Sequence, residues 1–234
     1  MCPKLTCIGF DADDTLWHNE RVFQLTQSRF AELLADYTDS DTLMARLLES
    51  ERRNLGHYGF GVKGFVLSMI ETAVEVTNGQ VPASVISQLL DAGRDMLRHP
   101  VDLLPHAGDA VEAARGDHTV ILVTKGDLLD QERKLAQSDL GELFHGVEIV
   151  SDKTTAQYTD IFSRHGDGAA FGMMVGNSIR SDVVPMINAG GWGVLVPHAL
   201  NWAVEHADAP LDHPRFAELA DLGALANLID TFNQ

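Results

Sequence analysis

The sequence is poor in cysteine and in basic residues, and both shortages exclude classes of protein. It has two cysteines, Cys2 and Cys7, in 234 residues and no Cys-x-x-Cys pair, so no disulfide framework is expected and a reducing compartment fits. The 17 Lys and Arg stand against 34 Asp and Glu. Because nucleic acids and anionic membrane surfaces require a basic footprint, we expect neither as a partner.

Long apolar runs are also missing. No stretch approaches the ~18 residues that a transmembrane helix needs. The segment before Asp11 holds one lysine and a short, mostly apolar run, which does not fit a signal peptide. We therefore expect a soluble, cytoplasmic protein. Apolar residues nevertheless make up 45% of the sequence, which is ample for a packed interior.

A short apolar run near the N-terminus ends in three carboxylates. Residues 5–10 predict a buried strand, and Asp11, Asp13 and Asp14 follow it. Ligands of open α/β sheets bind beyond the carboxyl ends of strands, and side chains two apart on an extended segment share a face. Two such like charges are unfavourable unless a cation is near or one group is protonated. A metal site with a nucleophile and an acid meets both requirements, and an acidic solvated turn is the alternative.

Helical periodicity dominates the next eighty or so residues. Apolar residues recur at helical spacing in residues 20–37, 40–55, 65–79 and 82–98, and Pro100 ends the stretch. Four glycines between residues 56 and 64 predict a loop. Four consecutive helices between strand-like segments predict an inserted all-α unit over residues 18–100.

Strands and helices alternate in the remainder. The predicted strands are residues 119–124, 146–150, 171–175 and 193–196, and the predicted helices are residues 108–115, 128–137, 154–165 and 181–189. One or two closing helices are expected over residues 215–229. Repeated βα units predict a parallel sheet covered by helices on both faces. The fold class is therefore α/β, with a Rossmann-like parallel sheet core of residues 1–17 and 101–234.

Three of the later strands end in polar residues suited to phosphate chemistry. One strand ends at Thr124 and Lys125, where a hydroxyl and backbone N–H groups can hold a phosphate oxygen. Lys153 follows another and can pair with a carboxylate and a phosphate together. Asn177 and Asp182 follow a third and offer the oxygen ligands that Mg²⁺ takes. Taken singly, a helix cap, an exposed lysine and a surface turn explain these residues equally well.

In this order on βα units, these strings resemble the four motifs of the haloacid dehalogenase superfamily. Asp11-Ala12-Asp13-Asp14-Thr15 is similar to the phosphatase-type first motif D-x-D-x-T. Thr124 matches the second motif, Lys153 the third, and Gly176-Asn177-Ser178 through Asp182 the fourth. The helical insert looks like the α-helical cap of that superfamily. The resemblance covers nearly the whole chain.

The resemblance implies a five-stranded parallel sheet and a covalent mechanism. Asp11 would be the nucleophile and form an aspartyl-phosphate, and Asp13 would protonate the leaving alcohol and then activate water. Thr124 and Lys153 would hold the transferring phosphoryl group. Mg²⁺ would be bound by the Asp11 carboxylate, the Asp13 backbone carbonyl and Asp182.

Two positions refine this expectation. Asn177 stands where the superfamily commonly has Asp, so one negative charge is lost near the cation, and we expect a weaker metal site or an Asn177 that acts through a water. Asp13 favours phosphoryl transfer, because dehalogenases of the superfamily lack an acid at this position.

The insert is expected to choose the substrate. Arg52 and Lys63 flank or occupy the glycine-rich segment and, with Lys125, are candidate contacts to a substrate. The predicted function is a Mg²⁺-dependent phosphomonoesterase acting on a small phosphorylated metabolite. A phosphomutase, another superfamily hydrolase and a non-catalytic phospho-acceptor module are the alternatives, and the oligomeric state is open.

Overall fold

The computed structural model describes residues 4–200 and 202–232, and the chain divides into two compact units. The first unit comprises Met1–His18, Val101–Lys125 and Gln131–Gln234, and the second comprises Asn19–Pro100 and Gly126–Asp130. No helix in the described part of the chain combines the length and the apolar character that crossing a membrane requires.

The first unit is built on one parallel sheet. Its strands are β1 (Cys7–Phe10), β2 (Thr119–Lys125), β3 (Gly146–Val150), β4 (Gly172–Gly176), β5 (Trp192–Leu195) and β6 (Phe216–Glu218). They lie in the order β3-β2-β1-β4-β5-β6, and each neighbouring pair is parallel. The order reverses between β1 and β4, and open α/β sheets bind their ligands at such a reversal. The predicted parallel α/β core is confirmed.

Nine α-helices lie within residues 4–200 and 202–232. They are α1 (Glu20–Leu33), α2 (Ser40–Tyr58), α3 (Val62–Val76), α4 (Ala83–Arg98), α5 (Ala107–Ala114), α6 (Leu128–Gln137), α7 (Thr155–His165), α8 (Val184–Asn188) and α9 (Leu225–Phe232). The first four make up most of the second unit, which confirms the predicted all-α insert.

Both faces of the sheet are buried, because consecutive side chains of each strand point to opposite sides. Ile8 and Phe10 belong to the core that includes residues of α5 and α9. Cys7 belongs to the core on the other face, which includes Tyr158 and Phe162 of α7. Burial raises the pKa of the Cys7 thiol to about 12, so this cysteine acts as a small apolar side chain. Cys2 lies outside the described residues.

The second unit has its own apolar core. Phe30, Leu43, Leu47, Phe65 and Met69, from α1, α2 and α3, are all buried in it. The loop predicted over residues 56–64 is shorter than expected, because α2 continues to Tyr58 and α3 begins at Val62. The turn that remains holds Gly59 and Gly61, whose φ angles of 72° and 114° suit glycine.

The C-terminal region corrects two expectations. Residues 215–229, predicted as one or two closing helices, instead contain β6, a 3₁₀ turn (Leu222–Ala224) and the first part of α9. The sheet therefore has six strands among the described residues, where the resemblance implied five. A three-residue strand carries too little periodicity to be recognised in a sequence.

The helix predicted over residues 181–189 is interrupted. A π-helical turn (Ile179–Val183) precedes the short α8. The backbone N–H of Val183 donates to the carbonyl of Ser178, five residues earlier, at 3.2 Å. π-Helical turns are rare in proteins as a whole, and many of those that occur lie at functional sites.

Candidate active site

Asp11 begins the site directly after β1. Its backbone N–H donates to the carbonyl of Val175 at 2.9 Å, which continues the pairing of β1 with β4. Its buried carboxylate accepts a hydrogen bond from Thr15 Oγ1 at 2.8 Å. The other carboxylate oxygen accepts from the ammonium group of Lys153. Asp11 is therefore held at the reversal of strand order, in a fixed orientation.

Asp182 approaches the same ammonium group from the π-helical turn. Lys153 Nζ donates to Asp182 Oδ1 at 2.7 Å, and the backbone N–H of Ser178 donates to Oδ2 at 2.9 Å. The carboxylate lies so close to Gly176 that a Cβ there would be 2.3 Å from Asp182 Cγ. A glycine at the end of β4 is thus required for this packing.

The three charged side chains of this centre are buried, and burial and their mutual contacts shift the pKa values of Asp11 and Lys153. Burial is the main cause that raises the pKa of Asp11 to about 7, against the opposing attraction of Lys153 and with a smaller contribution from Asp182. For Lys153, burial lowers the pKa, but the two carboxylates outweigh burial, so the pKa lies above its ordinary value. With both acids ionised, the centre carries one net negative charge.

Asp13 lies in a separate cluster of donors. Its carboxylate accepts from Trp17 Nε1 at 2.7 Å, from Gln131 Nε2 at 2.9 Å and from Lys134 Nζ at 2.9 and 3.0 Å. Burial raises the pKa of Asp13, but the charge of Lys134 and these hydrogen bonds outweigh burial, and the pKa lies below its ordinary value. In this arrangement Asp13 is ionised.

The polar residues at the end of β2 join two further networks. Thr124 is buried, and its hydroxyl donates to Gln131 Oε1 at 3.3 Å. Lys125 Nζ donates to Glu205 Oε1 at 2.6 Å and to Ser181 Oγ at 2.7 Å. Glu205 also accepts from Ser178 Oγ at 2.7 Å. Lys125 is therefore tied to the loop that carries Asp182.

Asn177 lies beside the first motif. Its backbone N–H donates to Thr15 Oγ1 at 3.1 Å, and its side-chain oxygen lies 3.4 Å from the same hydroxyl. Thr15 thus connects Asn177 to Asp11, to which it donates its proton.

The donor set of this centre suits a hard cation. Within the described ranges, no cluster of three or more His, Cys, Asp or Glu side chains is arranged to hold a metal ion. Asp11 and Asp182 nevertheless aim one oxygen each at the same cationic group, Lys153 Nζ. These two carboxylates and the nearby side-chain oxygen of Asn177 are oxygen donors of the kind that Mg²⁺ prefers, and Mg²⁺ usually keeps several waters as further ligands.

The structure brings together most of the residues that the sequence singled out. Asp11, Lys153 and Asp182 share one centre, and Asn177 adjoins it through Thr15. Asp13 and Thr124 are linked through Gln131. Arg52 and Lys63 belong to the second unit, on α2 and at the start of α3.

Four residues around the site were not found from the sequence. Gln131 and Lys134 hold Asp13, Glu205 holds Lys125, and Thr15 connects Asp11 to Asn177. Thr15 belongs to the first motif, so the sequence did indicate that it lies near the site. The other three carried none, since a polar residue on an amphipathic helix or in a loop is usually solvated.

Comparisons with known proteins assign the chain to a family. The family model of haloacid dehalogenase-like hydrolases matches residues 5–190. A haloacid dehalogenase-like family hydrolase from Xanthomonas campestris, of known crystal structure, is 38% identical, with a TM-score of 0.88 over 98% of this chain and 92% of that chain. Among curated proteins, no sequence matches the chain.

More distant structures share the fold. A magnesium-bound protein of Bacillus subtilis assigned to the HAD-hydrolases is 15% identical, with a TM-score of 0.68 over 97% of this chain and 99% of that one. The L-2-haloacid dehalogenase of Xanthobacter autotrophicus, with chloropropionic acid covalently bound, is 19% identical, with a TM-score of 0.65 over 97% and 98% of the two chains.

The matched family model covers most of the chain, and the six-stranded parallel sheet and helical insert agree with it. The chain belongs to the haloacid dehalogenase-like hydrolases.

Proposed function

We propose that this hydrolase is a Mg²⁺-dependent phosphomonoesterase that forms an aspartyl-phosphate on Asp11. The observation that carries the proposal is the second carboxylate, Asp13, which three side chains hold two residues after the nucleophile. An alkoxide leaving group is a strong base and needs a proton, whereas a halide is a weak base and needs none. An acid–base residue at this place therefore supports ester hydrolysis over dehalogenation.

Two balanced steps describe the reaction. In the first, an Asp11 oxygen attacks phosphorus, the bond to the ester oxygen breaks, and the leaving oxygen takes the proton of Asp13. In the second, water attacks the phosphorus, its proton passes to Asp13, and the bond to Asp11 breaks. Phosphate leaves, and both acids return to their starting state. Burial raises the pKa of Asp13, but Lys134 and the hydrogen bonds outweigh it and keep Asp13 ionised in this arrangement. The carboxyl therefore has to take up a proton before the first step, and the second step returns it to that protonated form.

Charge balance supports a divalent cation. A phosphate monoester is itself anionic, and with Asp11 and Asp182 both ionised it meets a centre with one net negative charge, in a chain of net charge −17. Bound Mg²⁺ would add two positive charges and stabilise the charge that develops on the phosphoryl oxygens. Asp11, Asp182, the Asp13 carbonyl and Asn177 would hold the ion, and Lys153 and Thr124 would hold the phosphoryl group.

Substrate choice is assigned to the second unit. Arg52 is exposed on α2. Lys63 is exposed at the first turn of α3, where its ammonium group lies 3.2 Å from Asp127. Both residues are proposed to contact the alcohol part of a small phosphorylated substrate. A cytoplasmic location is part of this proposal.

The test is release of phosphate from 4-nitrophenyl phosphate by the purified protein. We expect turnover with Mg²⁺, loss of turnover in EDTA, and no turnover for Asp11→Asn, because an amide is a poor nucleophile. Chloride release from 2-chloropropionate is measured in parallel. Chloride release without phosphate release would make the protein a dehalogenase. A stable phosphoprotein without turnover would indicate an acceptor module, and transfer to a second hydroxyl of the substrate would indicate a mutase.

A further inference from the structure

Two side chains of α6 converge on the carboxylate of Asp13. Gln131 and Lys134 are three residues apart, so they lie on the same face of the helix. Gln131 Nε2 is 2.9 Å from one carboxylate oxygen, and Lys134 Nζ is 2.9 and 3.0 Å from the two oxygens. Both side chains are withdrawn from solvent, since Gln131 is 3% exposed and the Lys134 side chain 12% exposed.

The carboxylate is saturated with donors. Trp17 Nε1 adds a hydrogen bond of 2.7 Å to the contacts from α6. An ionised carboxylate has about four lone-pair sites, and these four contacts of Asp13 use all of them. Rotation of the side chain would break several charge-assisted hydrogen bonds at once, so its orientation is fixed.

Gln131 also connects Asp13 to Thr124. The hydroxyl of Thr124 donates to Gln131 Oε1 at 3.3 Å, while the amide nitrogen of the same side chain donates to Asp13. Because an amide has its acceptor and its donor on opposite arms, one orientation of Gln131 serves both partners. The distance between Thr124 and the Asp13 carboxylate is thereby set by a single buried side chain.

We propose that Gln131 and Lys134 are positioning residues, which fix the acid–base carboxylate of Asp13 beside the phosphoryl-binding hydroxyl of Thr124. The proposal rests on the proposed function, in which Asp13 serves the leaving group and Thr124 the phosphoryl group. Loss of either residue lets the carboxylate rotate, so proton transfer to the leaving oxygen becomes less efficient. Phosphoryl binding by Lys153 is unaffected.

The loss of rate on replacing Gln131 or Lys134 therefore depends on the basicity of the leaving group. The 4-nitrophenolate anion is a weak base and leaves with little help, whereas phenolate is a stronger base and depends more on the acid. The two esters differ only by a nitro group, so they make closely similar contacts elsewhere. The ratio of kcat/KM for 4-nitrophenyl phosphate to kcat/KM for phenyl phosphate measures the dependence on the acid, and it is independent of the fraction of protein that is active.

The experiment compares this ratio in the wild-type protein, Lys134→Met, Gln131→Leu and Asp13→Asn. General acid–base catalysis contributes roughly 10²–10⁴-fold, so we expect the ratio to rise about tenfold or more for Lys134→Met and Gln131→Leu. Lys134→Arg keeps a cation with several donors and is expected to restore much of the wild-type ratio. Arg133→Met, on the same helix, is the matched control, because Arg133 donates to Gln137 within α6, and its ratio is expected to stay unchanged.

The outcomes separate the two proposals. If Asp13→Asn raises the ratio but the Lys134 and Gln131 variants keep the wild-type ratio, the positioning role is wrong and the proposed function stands. If Asp13→Asn leaves the ratio unchanged, or the wild-type protein releases no phosphate from either ester, the proposed function fails and the positioning role fails with it. Should Lys134→Met not fold, Gln131→Leu alone carries the same comparison.

Discussion

Lys153 forms ion pairs with two buried carboxylates. A substitution of this lysine is therefore a poor test of its role in activity. Removing one partner of a buried ion pair typically costs ~3–5 kcal/mol of unfolding free energy, because the remaining charge is left without compensation. Replacing Lys153 would leave both Asp11 and Asp182 uncompensated. Smaller changes around this centre therefore give clearer answers.

Gly176→Ala is one such change. The added Cβ would lie 2.3 Å from Asp182 Cγ, so the carboxylate has to move away from Lys153. We expect a loss of about 1–3 kcal/mol in unfolding free energy, as for an overpacked core, and a clear loss of activity at limiting Mg²⁺. Chemical denaturation and a Mg²⁺ titration of activity measure the two effects.

Gly56→Ala is the matched control for this substitution. Gly56 lies inside α2, and a Cβ there meets no atom within 4 Å. Alanine is the better helix former by up to ~1 kcal/mol, so stability is expected to stay equal or rise. A Gly176→Ala protein that matches this control in stability and Mg²⁺ dependence would contradict the close contact with Asp182.

Glu205→Gln tests the network that ties Lys125 to the fourth motif. The charge of Lys125 and the hydrogen bonds of Ser181 and Ser178 outweigh burial and hold the pKa of Glu205 below its ordinary value. The ionised carboxylate therefore stabilises the fold above the pKa of an unfolded Glu, and this contribution is lost as the pH falls through the lower folded pKa. We expect a loss of roughly 1–3 kcal/mol at pH 7 and a smaller loss in acid.

Urea unfolding at pH 7 and at pH 4 measures this difference. Glu218→Gln, an exposed residue at the end of β6, is the control with the same chemical change. Equal stability of the two variants at pH 7 would show that the Glu205 network contributes nothing.

The sequence predicted the residues that sit at strand ends, and it missed those that reach the site from elsewhere. Thr124 lies at the end of one recognisable strand, and Asp11 and Asp182 follow two others, so their convergence was expected from parallel topology. Gln131 and Lys134 meet Asp13 from 118 and 121 positions away in the chain. No local pattern distinguishes those two from the exposed residues of an amphipathic helix.

At the scale of elements, the start of α7 positions Lys153. Thr154 follows that lysine and caps the helix, since its side-chain oxygen accepts from the backbone N–H of Gln157 at 3.2 Å. Replacing such a cap by alanine typically costs ~0.5–2 kcal/mol. Thr154→Ala is therefore expected to lose about this much stability in thermal or urea unfolding, and some activity through looser placement of Lys153.

Thr154→Ser keeps the capping hydroxyl and is expected to retain most of both properties. If Thr154→Ala and Thr154→Ser lose the same amount, the hydroxyl is not the source of the effect.

Helices and strands with a clear period of apolar residues were predicted well from the sequence, whereas short or irregular elements were not. The helices of the insert and the strand Thr119–Lys125 have enough apolar residues to reveal their period. The strand Phe216–Glu218 depends on pairing with β5, a tertiary contact. The π-helical turn depends on Ser178, whose side chain accepts from the backbone N–H of Ser181, and whose backbone N–H donates to Asp182.

At the scale of the whole molecule, Asp11 links stability to pH. In the metal-free protein its pKa of about 7 exceeds the ordinary 3.8, so between these values the folded state holds a proton that the unfolded state releases. The contribution of Asp11 to the free energy of unfolding therefore falls as the pH rises towards 7, and it is constant above pH 7. Mg²⁺ requires the deprotonated carboxylate, so the stabilisation by Mg²⁺ is expected to grow over the same range.

Thermal unfolding between pH 5 and pH 8, with EDTA or with Mg²⁺, measures both effects as shifts in Tm. For a chain of this size, we expect shifts in Tm on the order of a few degrees. Asp11→Asn lacks the titrating group and shares all the others, so the difference between the two proteins isolates Asp11. A Mg²⁺-induced shift that is equal at pH 5 and pH 8 in the wild-type protein would contradict the raised pKa.

The position of β1 in the middle of the sheet also has a consequence for synthesis on the ribosome. β1 pairs with β2 and β4, and its first partner, Thr119 opposite Cys7, emerges about 110 residues later, or roughly 6–20 s at ordinary rates of translation. During that interval residues 19–100, which form the helices α1 to α4 of the second unit, have already been synthesised and are able to fold. The apolar segment before Asp11 stays unpaired and prone to aggregation until the two strands that flank it in the sheet have been made.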